Sequence, residues 1–587
     1  MLKALILLFS VAFFLLAGCR KQPAALRAQY PLPEDAEISS YPAGKFGGRM
    51  IDASPGEPTT FNPMVSEDAT SSGMIGLLGN GLTTYDPVRE KVIPCLAKSW
   101  DISSDNKTFT FHLRRGLRWS DGILFTAEDV IFTFQCFYDS RFATRAAYDF
   151  SVDGKPFDVK KIDEYTVQIR TPDIFAPFLQ VIGWAQILPK HKLEAAYRDG
   201  SLMKAWNISV AQKNPKNIVG MGMFTIHSYR PGERIVFEPN PHYFRTDAKK
   251  QRLPYVDFLI TRFVKDFNAS IVAFATGLTD SEGISPDNVA WVKRSAGTYG
   301  FAVYDRGPST NSSFIWFNQN PGKDKDGKPF VVPHKLKWFT NQRFRQAISY
   351  GIDREGIVQG VLFGRGAPLW GPESPANRKW FNPEVKKYPF NPEQAMQLLA
   401  EADFKKDEKG ILRDAEGNPV EFTLITNQEN LIRQNMATVF MENMKALGIQ
   451  VKLQFMDFGA FVGKIQDSFD YEAGLLGFTG GGDPVGGQSI YSSKGRLHQW
   501  HPSQKQPATP WEARIDELMT LQLKTLDEIK RRAYYAEVQS IMSEQVPFIY
   551  LVTPNTYAGL KNRWTNLDIP LTGSVLWNLD SIWASQP

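Results

Sequence analysis

The 587-residue chain has few cysteines, no block of five or more like charges and no long apolar segment after its N-terminus. Its 3 cysteines are too few for a disulfide-stapled scaffold. Its 67 basic and 62 acidic residues give a formal net charge of +5, nearly balanced for this length, so no nucleic-acid partner is indicated. No later stretch approaches the ~20 apolar residues that a membrane-spanning helix needs.

Recognisable catalytic and metal-binding patterns are also missing. The chain has no Gly-x-Ser-x-Gly and no His-Glu-x-x-His. His498 and His501 in "HQWH" could share a helical face and bind a metal, but no third ligand is spaced around them, so surface or capping roles are favoured. We therefore expect a protein with no cofactor and no metal that is not an enzyme, although a triad of scattered residues would leave no such pattern.

The N-terminus carries a targeting signal. Lys3 is followed by fourteen uncharged residues, Ala4 to Ala17, a length that suits a signal peptide and is short for a membrane span. Gly18 and Cys19 follow, and the sequence Leu-Ala-Gly-Cys resembles the bacterial lipobox, whose cysteine is lipidated and becomes the new N-terminus; an ordinary secretory signal is the alternative. The resemblance implies a signal peptide over 1–18, lipidation at Cys19 and a lipid-anchored tether over 19–47. The body would face outward, periplasmic or on the cell surface of a bacterium.

Two cysteines remain in the body. An exported compartment permits a disulfide between Cys95 and Cys136. Both lie in apolar surroundings, so two buried free thiols are the favoured alternative.

Short strand-like and helix-like stretches alternate along the body, which predicts a mixed α/β protein. Residues 107–122 alternate apolar and polar side chains before an Asp-Gly turn and predict a strand or hairpin. Thr126, three residues before Asp129, predicts a capped helix start. A helix closed by Gly448 and followed by a strand is predicted from residue 431. The last long helix is predicted near Ala513 to Glu544.

The segment Ile93 to Phe134, "IPCLAKSWDISSDNKTFTFHLRRGLRWSDGILFTAEDVIFTF", closely resembles a signature of the extracellular solute-binding proteins of peptide and nickel ABC importers, family 5, the oligopeptide- and dipeptide-binding type. Further segments resemble that family in its order, from about residue 50 to 560: "EPTTFNPM", "GMGMFTIHSYRPGERIVFEPNPHYF", "NQRFRQAISYGIDREGIV", "QAMQLLAEADF" and "EQVPFIYL". These landmarks identify the fold; their residues are expected to build core, turns and caps.

The resemblance implies an α/β fold of the two-lobed periplasmic-binding-protein type, class II of the large peptide-binding kind, with an additional inserted subdomain. The expected lobe I is discontinuous and comprises 48–85, 207–303 and 557–587. The inserted subdomain is expected over 86–206 and lobe II over 304–556.

The run "GLLGFTGGGDPVGGQSIY", Gly474 to Tyr491, contains seven glycines and no Gly-Lys-Ser/Thr, so it does not fit a phosphate-binding loop. By resemblance, Gly477, Phe478 and Thr479 form one strand that pairs with ligand main chain, and Ser66, Glu67 and Asp68 form the opposing segment. The glycines would then let the ligand backbone come close. Relatives place an ammonium-binding Asp where Gly481 stands here, so Asp483 either takes that role or only caps the turn.

The resemblance implies a lipid-anchored receptor, expected to be a monomer, that closes on oligopeptides and delivers them to an ABC permease and ATPase. Three alternatives remain open: a receptor of the same fold for a nickel chelate, a sugar or a modified peptide; a secreted hydrolase; and an adhesion or signalling lipoprotein.

Overall fold

The computed structural model of the protein describes residues 29–66, 68–142, 144–152 and 154–585. Helices and strands alternate along this part of the chain, as the pattern predicts. The α-helices in it are Ala69–Leu78, Ala127–Tyr138, Arg145–Asp149, Phe178–Val181, Lys190–Arg198, Ile208–Lys213, Phe267–Ala275, Val289–Tyr299, Pro333–Thr340, Gln342–Tyr350, Arg354–Gly360, Pro392–Glu401, Leu431–Ala446, Phe458–Gly463, Gln488–Tyr491, Pro510–Lys524 and Glu528–Gln545.

Four sheets carry the architecture, and each is named here for its place in the fold. By the boundaries predicted above, two lie mainly in lobe I, one in the inserted subdomain and one in lobe II; the strands Phe301–Pro308 and Val552–Lys561 run across the predicted boundaries at 304 and 557. In strand order, one first-lobe sheet consists of Phe224–Arg230, Arg234–Pro239, Phe258–Phe263 and Arg49–Ser54, and the other of Ser281–Ile284, Val552–Lys561 and Phe301–Pro308. The subdomain sheet consists of Ala97–Ile102, Thr108–Leu113, Thr166–Arg170 and Asp158–Asp163. The second-lobe sheet consists of Gln450–Met456, Glu421–Asn427, Ala473–Phe478, Ser312–Phe317 and Phe548–Tyr550.

Several local predictions are confirmed because short-range chemistry determines them. Thr126 and Asp129 form a reciprocal capping box at the start of Ala127–Tyr138. In the strand Thr108–Leu113 every second side chain is buried, as its alternation requires. Gly448 has a φ of 84° just after Leu431–Ala446, a conformation that glycine adopts without strain and that ends the helix before the next strand.

The predicted long helix from Ala513 to Glu544 is wrong as a single element. The chain forms two helices there, Pro510–Lys524 and Glu528–Gln545, which pack against each other. Asp527 starts the second helix by accepting hydrogen bonds from the backbone N–H groups of Ile529 and Lys530. An N-cap residue has non-helical backbone angles, so a helix cannot continue through it.

Two adjacent segments connect the first lobe to the second. Phe301–Pro308 leads through residues 309–311 into Ser312–Phe317, and Phe548–Tyr550 leads through residue 551 into Val552–Lys561. The crossings are hydrogen-bonded to each other: Ser309 N–H donates to the Pro554 carbonyl and Leu551 N–H to the Ser313 carbonyl, each at 2.8 Å. The cleft between the lobes therefore has these crossings at its floor.

The described part of the predicted tether packs on the body. Arg252 donates to the carbonyls of Tyr30 and Pro31 at 3.1 and 2.7 Å, and Glu37–Ile38 pairs with Arg245–Thr246. The predicted segment 19–47 therefore includes residues held on the first lobe. The residue boundaries given above for the lobes and the subdomain stay predictions.

Candidate functional site

The glycine run lies on the floor of the cleft, beside the crossings between the lobes. Its first residues form the strand Ala473–Phe478 inside the second-lobe sheet. The carbonyls of the next glycines are then hydrogen-bonded one after another: Thr310 Oγ1 donates to Gly480 at 3.3 Å, Asn377 Nδ2 to Gly481 at 3.1 Å and Trp380 Nε1 to Gly482 at 2.9 Å. This loop is thus fixed in place by side chains of the second lobe and of one crossing.

Two of the glycines are required by the protein's own packing. A Cβ on Gly477 would stand 2.5 Å from the Ser312 carbonyl oxygen, and one on Gly480 would stand 2.2 Å from the Thr310 carbonyl oxygen. Such distances are far inside van der Waals contact. The expected reason for these glycines, close approach of a ligand backbone, is therefore not needed at either position.

The strand Ala473–Phe478 has an open edge at its end. Its parallel pairing with Glu421–Asn427 stops at Gly474, and Thr426 Oγ1 donates to the next carbonyl on that side, Leu475, at 2.8 Å. On the other side it pairs with Ser312–Phe317 along its whole length, Gly477 lying opposite Ser313. The Ser313 carbonyl already accepts from Leu551, on the far side of its own strand.

Backbone groups of an antiparallel strand point to alternate sides. Since those of Ser313 point away from Gly477, the N–H and C=O of Gly477 point to the open edge. Neither group has a hydrogen-bond partner within the described ranges. Thr479 lies two residues after Gly477, so the same alternation directs its backbone groups to this edge. It is exposed, just after the end of the strand. The edge can accept one more extended chain through backbone hydrogen bonds.

Arg433 covers one face of this strand end. Its Nη2 lies 3.5 Å from the position of a Cβ on Gly477, and its Nη1 donates to Asn427 Oδ1 at 2.8 Å. Burial lowers the pKa of Arg433, and no carboxylate pairs with it in the part of the chain that the structure describes. The sequence of the strand Ala473–Phe478 gives no sign of the Arg433 guanidinium, because Arg433 reaches the strand from the helix Leu431–Ala446.

Asp483 does cap the turn that follows the glycines. Its Oδ1 accepts from the Val485 N–H at 3.0 Å and from Arg531 Nη2 at 2.9 Å, and both charged side chains are 8% exposed. Arg531 also donates to the carbonyl and Oε1 of Gln522. Asp483 is therefore a structural group in this state; a role toward a ligand stays a prediction.

Glu373 is a second acid on the cleft floor, and sequence reasoning missed it. Its Oε1 accepts from the Tyr535 hydroxyl at 2.6 Å and its Oε2 from Asn377 Nδ2 at 2.8 Å. Burial raises the pKa of Glu373 to about 7, and the nearby Asp483 charge adds to that rise. Glu373 lies more than 100 residues from the glycines, so no local spacing could have indicated it.

The last residue of the predicted lobe I segment 48–85 and residues of the predicted inserted subdomain meet the second lobe near the glycine loop. Tyr85 and Gln180 lie 3.6 and 3.8 Å from the position of a Cβ on Gly482. The Ala176 N–H donates to the Leu523 carbonyl at 2.7 Å. Asp173 holds two ammonium groups, Lys107 at 3.0 Å and Lys524 of the second lobe at 3.1 Å. The described conformation is thus closed at this end of the cleft.

The opposing segment predicted from the resemblance is only partly described. Asp68 caps the helix Ala69–Leu78, accepting from the Ser71 N–H and from Thr59 Oγ1 at 2.7 Å each, and Ser66 Oγ lies 2.9 Å from Ser72 Oγ. Burial alone would raise the pKa of Asp68, but these hydrogen bonds outweigh it and lower that pKa. Glu67 and Cys19 lie outside the described residues. That Ser66, Glu67 and Asp68 face a ligand stays a prediction.

Comparison with known proteins places the chain in a family. The model of the bacterial extracellular solute-binding proteins, family 5, matches residues 91–497. The chain belongs to this family. It is 32% identical over 532 residues to a probable ABC transporter-binding protein of Deinococcus radiodurans, covering 86% of each chain. It is 26% identical over 522 residues to the oligopeptide-binding protein AppA of Bacillus subtilis, covering 88% of each. The solved structure of AppA with a nonapeptide has a TM-score of 0.73 at 24% identity, covering 92% of this chain and all of that one.

Membership confirms the two-lobed α/β fold and the solute-binding role that the sequence predicts, and it places this solute-binding protein outside the cytoplasm. The family consists of solute-binding proteins. None of the helices in the described part of the chain combines the length and apolarity needed to cross a bilayer.

His498 and the two cysteines of the body lie away from the cleft floor, in the hydrophobic core. His498 was expected at the surface or in a cap, but it is fully buried, with its ring 3.7 Å from that of Trp500 and its Nε2 3.5 Å from Glu512. Its place is in the core under the helix Pro510–Lys524. Cys95 and Cys136 are both buried free thiols, and burial raises the pKa of each to about 12.

Proposed function

We propose that this solute-binding protein captures oligopeptides outside the cytoplasm and delivers them to the permease and ATPase of an ABC importer. The observation that carries the proposal is the open strand edge at Gly477. Backbone hydrogen bonds are the same for every peptide sequence, so an edge of this kind binds peptides with little side-chain selection. AppA of Bacillus subtilis, a relative over 88% of the chain, is an oligopeptide-binding protein.

In the proposed complex, Gly477, Phe478 and Thr479 pair with the peptide as an added strand. Arg433, which covers the same strand end, offers a cation to a peptide carboxylate. Asp483 and the segment Ser66, Glu67 and Asp68 are proposed to line the cleft around it.

The protein acts by binding and release rather than by catalysis, as a monomer and without a cofactor. Closure of the lobes buries the peptide, and the closed form docks on the permease. Lipidated Cys19 holds the protein on the outer face of a bacterial membrane. The test of this anchor is Cys19→Ser, which should move the protein from the membrane fraction to the soluble fraction; persistent membrane association would contradict it.

Native mass spectrometry tests the ligand class. The chain starting at Arg20 is purified gently and compared with the same chain after denaturation and refolding. A series of adduct masses that disappears on refolding and fragments as peptides supports the proposal. A single adduct that does not fragment as a peptide would replace the peptide by a chelate or a sugar.

A further inference from the structure

The N-terminal segment meets the body between two exposed turns. The Tyr30 ring lies 4.3 Å from the ring of His242, and His242 Nε2 lies 3.4 Å from the position of a Cβ on Gly122, in the first turn. Arg252, just after the second turn, residues 247–251, donates to the Tyr30 carbonyl at 3.1 Å. Both turns therefore lie beside the first residues of the body that the structure describes.

The first turn, residues 119–124, presents apolar side chains to solvent. Arg118 pairs with Leu124 across it, and Arg118 Nη1 donates to a carbonyl within it at 2.8 Å. Ile123 is 50% exposed, Leu124 is 40% exposed, and Tyr30 is 38% exposed. Because the turn is held by these bonds, its apolar side chains stay at the surface. Adjoining exposed apolar side chains are typical of an interaction site.

The second turn carries two lysines without carboxylate partners. Lys249 and Lys250 are exposed, and neither forms an ion pair with a carboxylate in the ranges that the structure describes. The acid of their turn, Asp247, is buried and accepts from the N–H groups of Lys249 and Gln251 and from the Tyr255 hydroxyl. Asp247 thus fixes the backbone of the turn, and the two ammonium groups are left in solvent.

Positive charge predominates between the two turns. Arg118 has no carboxylate partner in the described part of the chain, and the acid of the first turn, Asp121, lies 3.8 Å from Lys192. The pKa of His242 is lowered to about 4, by burial first and then by the charges of Arg252 and Arg118, which outweigh that of Asp121. Cations and apolar side chains therefore share one surface, called the tether face here. It consists of Tyr30, Arg118, Ile123, Leu124, Lys249 and Lys250.

The chain before Tyr30 limits how far the tether face can lie from a membrane. Eleven residues separate Tyr30 from Cys19, the proposed lipid anchor, and a fully extended chain of that length spans at most ~40 Å. A tether this short keeps the face at a high effective concentration next to the bilayer. Acidic headgroups attract Lys and Arg, and exposed Tyr, Leu and Ile side chains enter the boundary below the headgroups. The tether face carries both kinds of side chain.

We propose that the tether face lies on the membrane and binds its acidic phospholipid headgroups, so that the anchor and the face together orient the first lobe. This proposal rests on the lipid anchor of the proposed function. The three cations of the face contact headgroup phosphates, and its three apolar side chains enter the boundary between headgroups and acyl chains. In the described ranges neither turn is hydrogen-bonded to the second lobe, so the contact leaves the cleft free.

Amine footprinting of the lipidated protein tests the proposal. The protein is placed on vesicles of phosphatidylcholine, alone or with about 30% phosphatidylglycerol, and its lysines are acetylated at 20 mM salt and identified by mass spectrometry. Lys249 and Lys250 should react at least fivefold more slowly on the anionic vesicles, since one cation near such a surface gains about fivefold in binding. Lys494, exposed on the second lobe, should react equally on both. Salt at 0.5 M should remove the difference.

A double variant tests whether the lysines hold the whole face on the membrane. Hydrogen exchange in residues 119–124 of the wild type should slow at least threefold on the anionic vesicles. Lys249→Gln combined with Lys250→Gln should abolish that slowing. The matched control, Lys494→Gln combined with Lys505→Gln, removes the same charge from exposed positions of the second lobe and should keep it.

Equal reactivity of Lys249 and Lys250 on both kinds of vesicle overturns the proposal, as does slowed exchange in 119–124 that survives in their double variant. Equally slow reaction of the two lysines in the Cys19→Ser protein without vesicles would also overturn it, by showing that a second copy covers the face. Release of the wild type from the vesicles by 0.5 M salt would contradict the lipid anchor itself, and this proposal with it, while leaving peptide binding to its own test.

Discussion

Asp483 pairs with Arg531, and this pair indicates that Asp483 stabilises the fold rather than binding a ligand. The variant Asp483→Asn distinguishes the structural role from the ligand-binding role. Both side chains are 8% exposed and their atoms lie 2.9 Å apart, so the pair is desolvated. Removing one partner of such a pair leaves a buried charge and costs about 3–5 kcal/mol of unfolding free energy. Asparagine caps a helix about as well as aspartate does, so the change leaves the turn at Val485 capped. We therefore expect Asp483→Asn to destabilise the ligand-free protein by about that amount.

The assay is urea unfolding of ligand-free protein followed by circular dichroism and tryptophan fluorescence. The matched control is Asp457→Asn, since Asp457 caps the helix Phe458–Gly463 through the N–H groups of Gly459 and Ala460 without an ion pair. That variant should lose less than about 0.5 kcal/mol. A double-mutant cycle with Arg531→Met should return most of the stability lost in Asp483→Asn. Unchanged unfolding free energy in Asp483→Asn, together with a tenfold loss of peptide affinity, would refute the structural role and favour a ligand contact.

Three further predictions concern closure, packing and pH. Lys524→Met removes an exposed ion pair with Asp173 across the cleft and should weaken peptide affinity by up to about fivefold at 20 mM salt, with no effect at 0.5 M, measured by calorimetry. Gly477→Ala forces a Cβ against a neighbouring carbonyl and should lose about 1–3 kcal/mol of unfolding free energy, whereas Gly486→Ala, with open space around it, should lose far less in the same urea titration. The folded state holds a proton on Glu373 up to a pKa of about 7, above the unfolded value, so wild-type melting temperature should fall relative to Glu373→Gln as pH rises from 5 to 7.5; parallel curves would contradict this.

The parts of the fold that sequence predicts are those that neighbours along the chain determine. The capping box at Thr126 and the alternation of Thr108–Leu113 involve residues within a few positions of one another. The prediction of a single helix from Ala513 to Glu544 was wrong because an Asp such as Asp527 can stand either on the exposed face of a helix or at its N-cap. Only the structure shows that the Asp527 side chain caps the second helix. Local pattern therefore identifies elements well and their interruptions less well.

The site was predictable only where the family resemblance extends. The resemblance identified the glycine run, and the open edge at Gly477 agrees with a strand that awaits a partner. Glu373 and Arg433 reach the same place from segments more than 100 and more than 40 residues away in sequence. Their closeness follows from sheet order and helix packing, which no spacing in one sequence encodes.

The proposed binding edge at Gly477 lies beside the two crossings between the lobes. Thr310 belongs to a crossing and holds the Gly480 carbonyl, while Ser374 holds the Ser309 carbonyl next to it. A peptide on the proposed Gly477 edge would therefore lie next to groups that are hydrogen-bonded to the crossings between the lobes. On the opposite side, the exposed Asp173–Lys524 pair contributes only about 0.2–1 kcal/mol. The Ala176–Leu523 hydrogen bond joins the same two parts of the chain. A ligand would shift the equilibrium toward the closed state by as much as its affinity for that state exceeds its affinity for the open one.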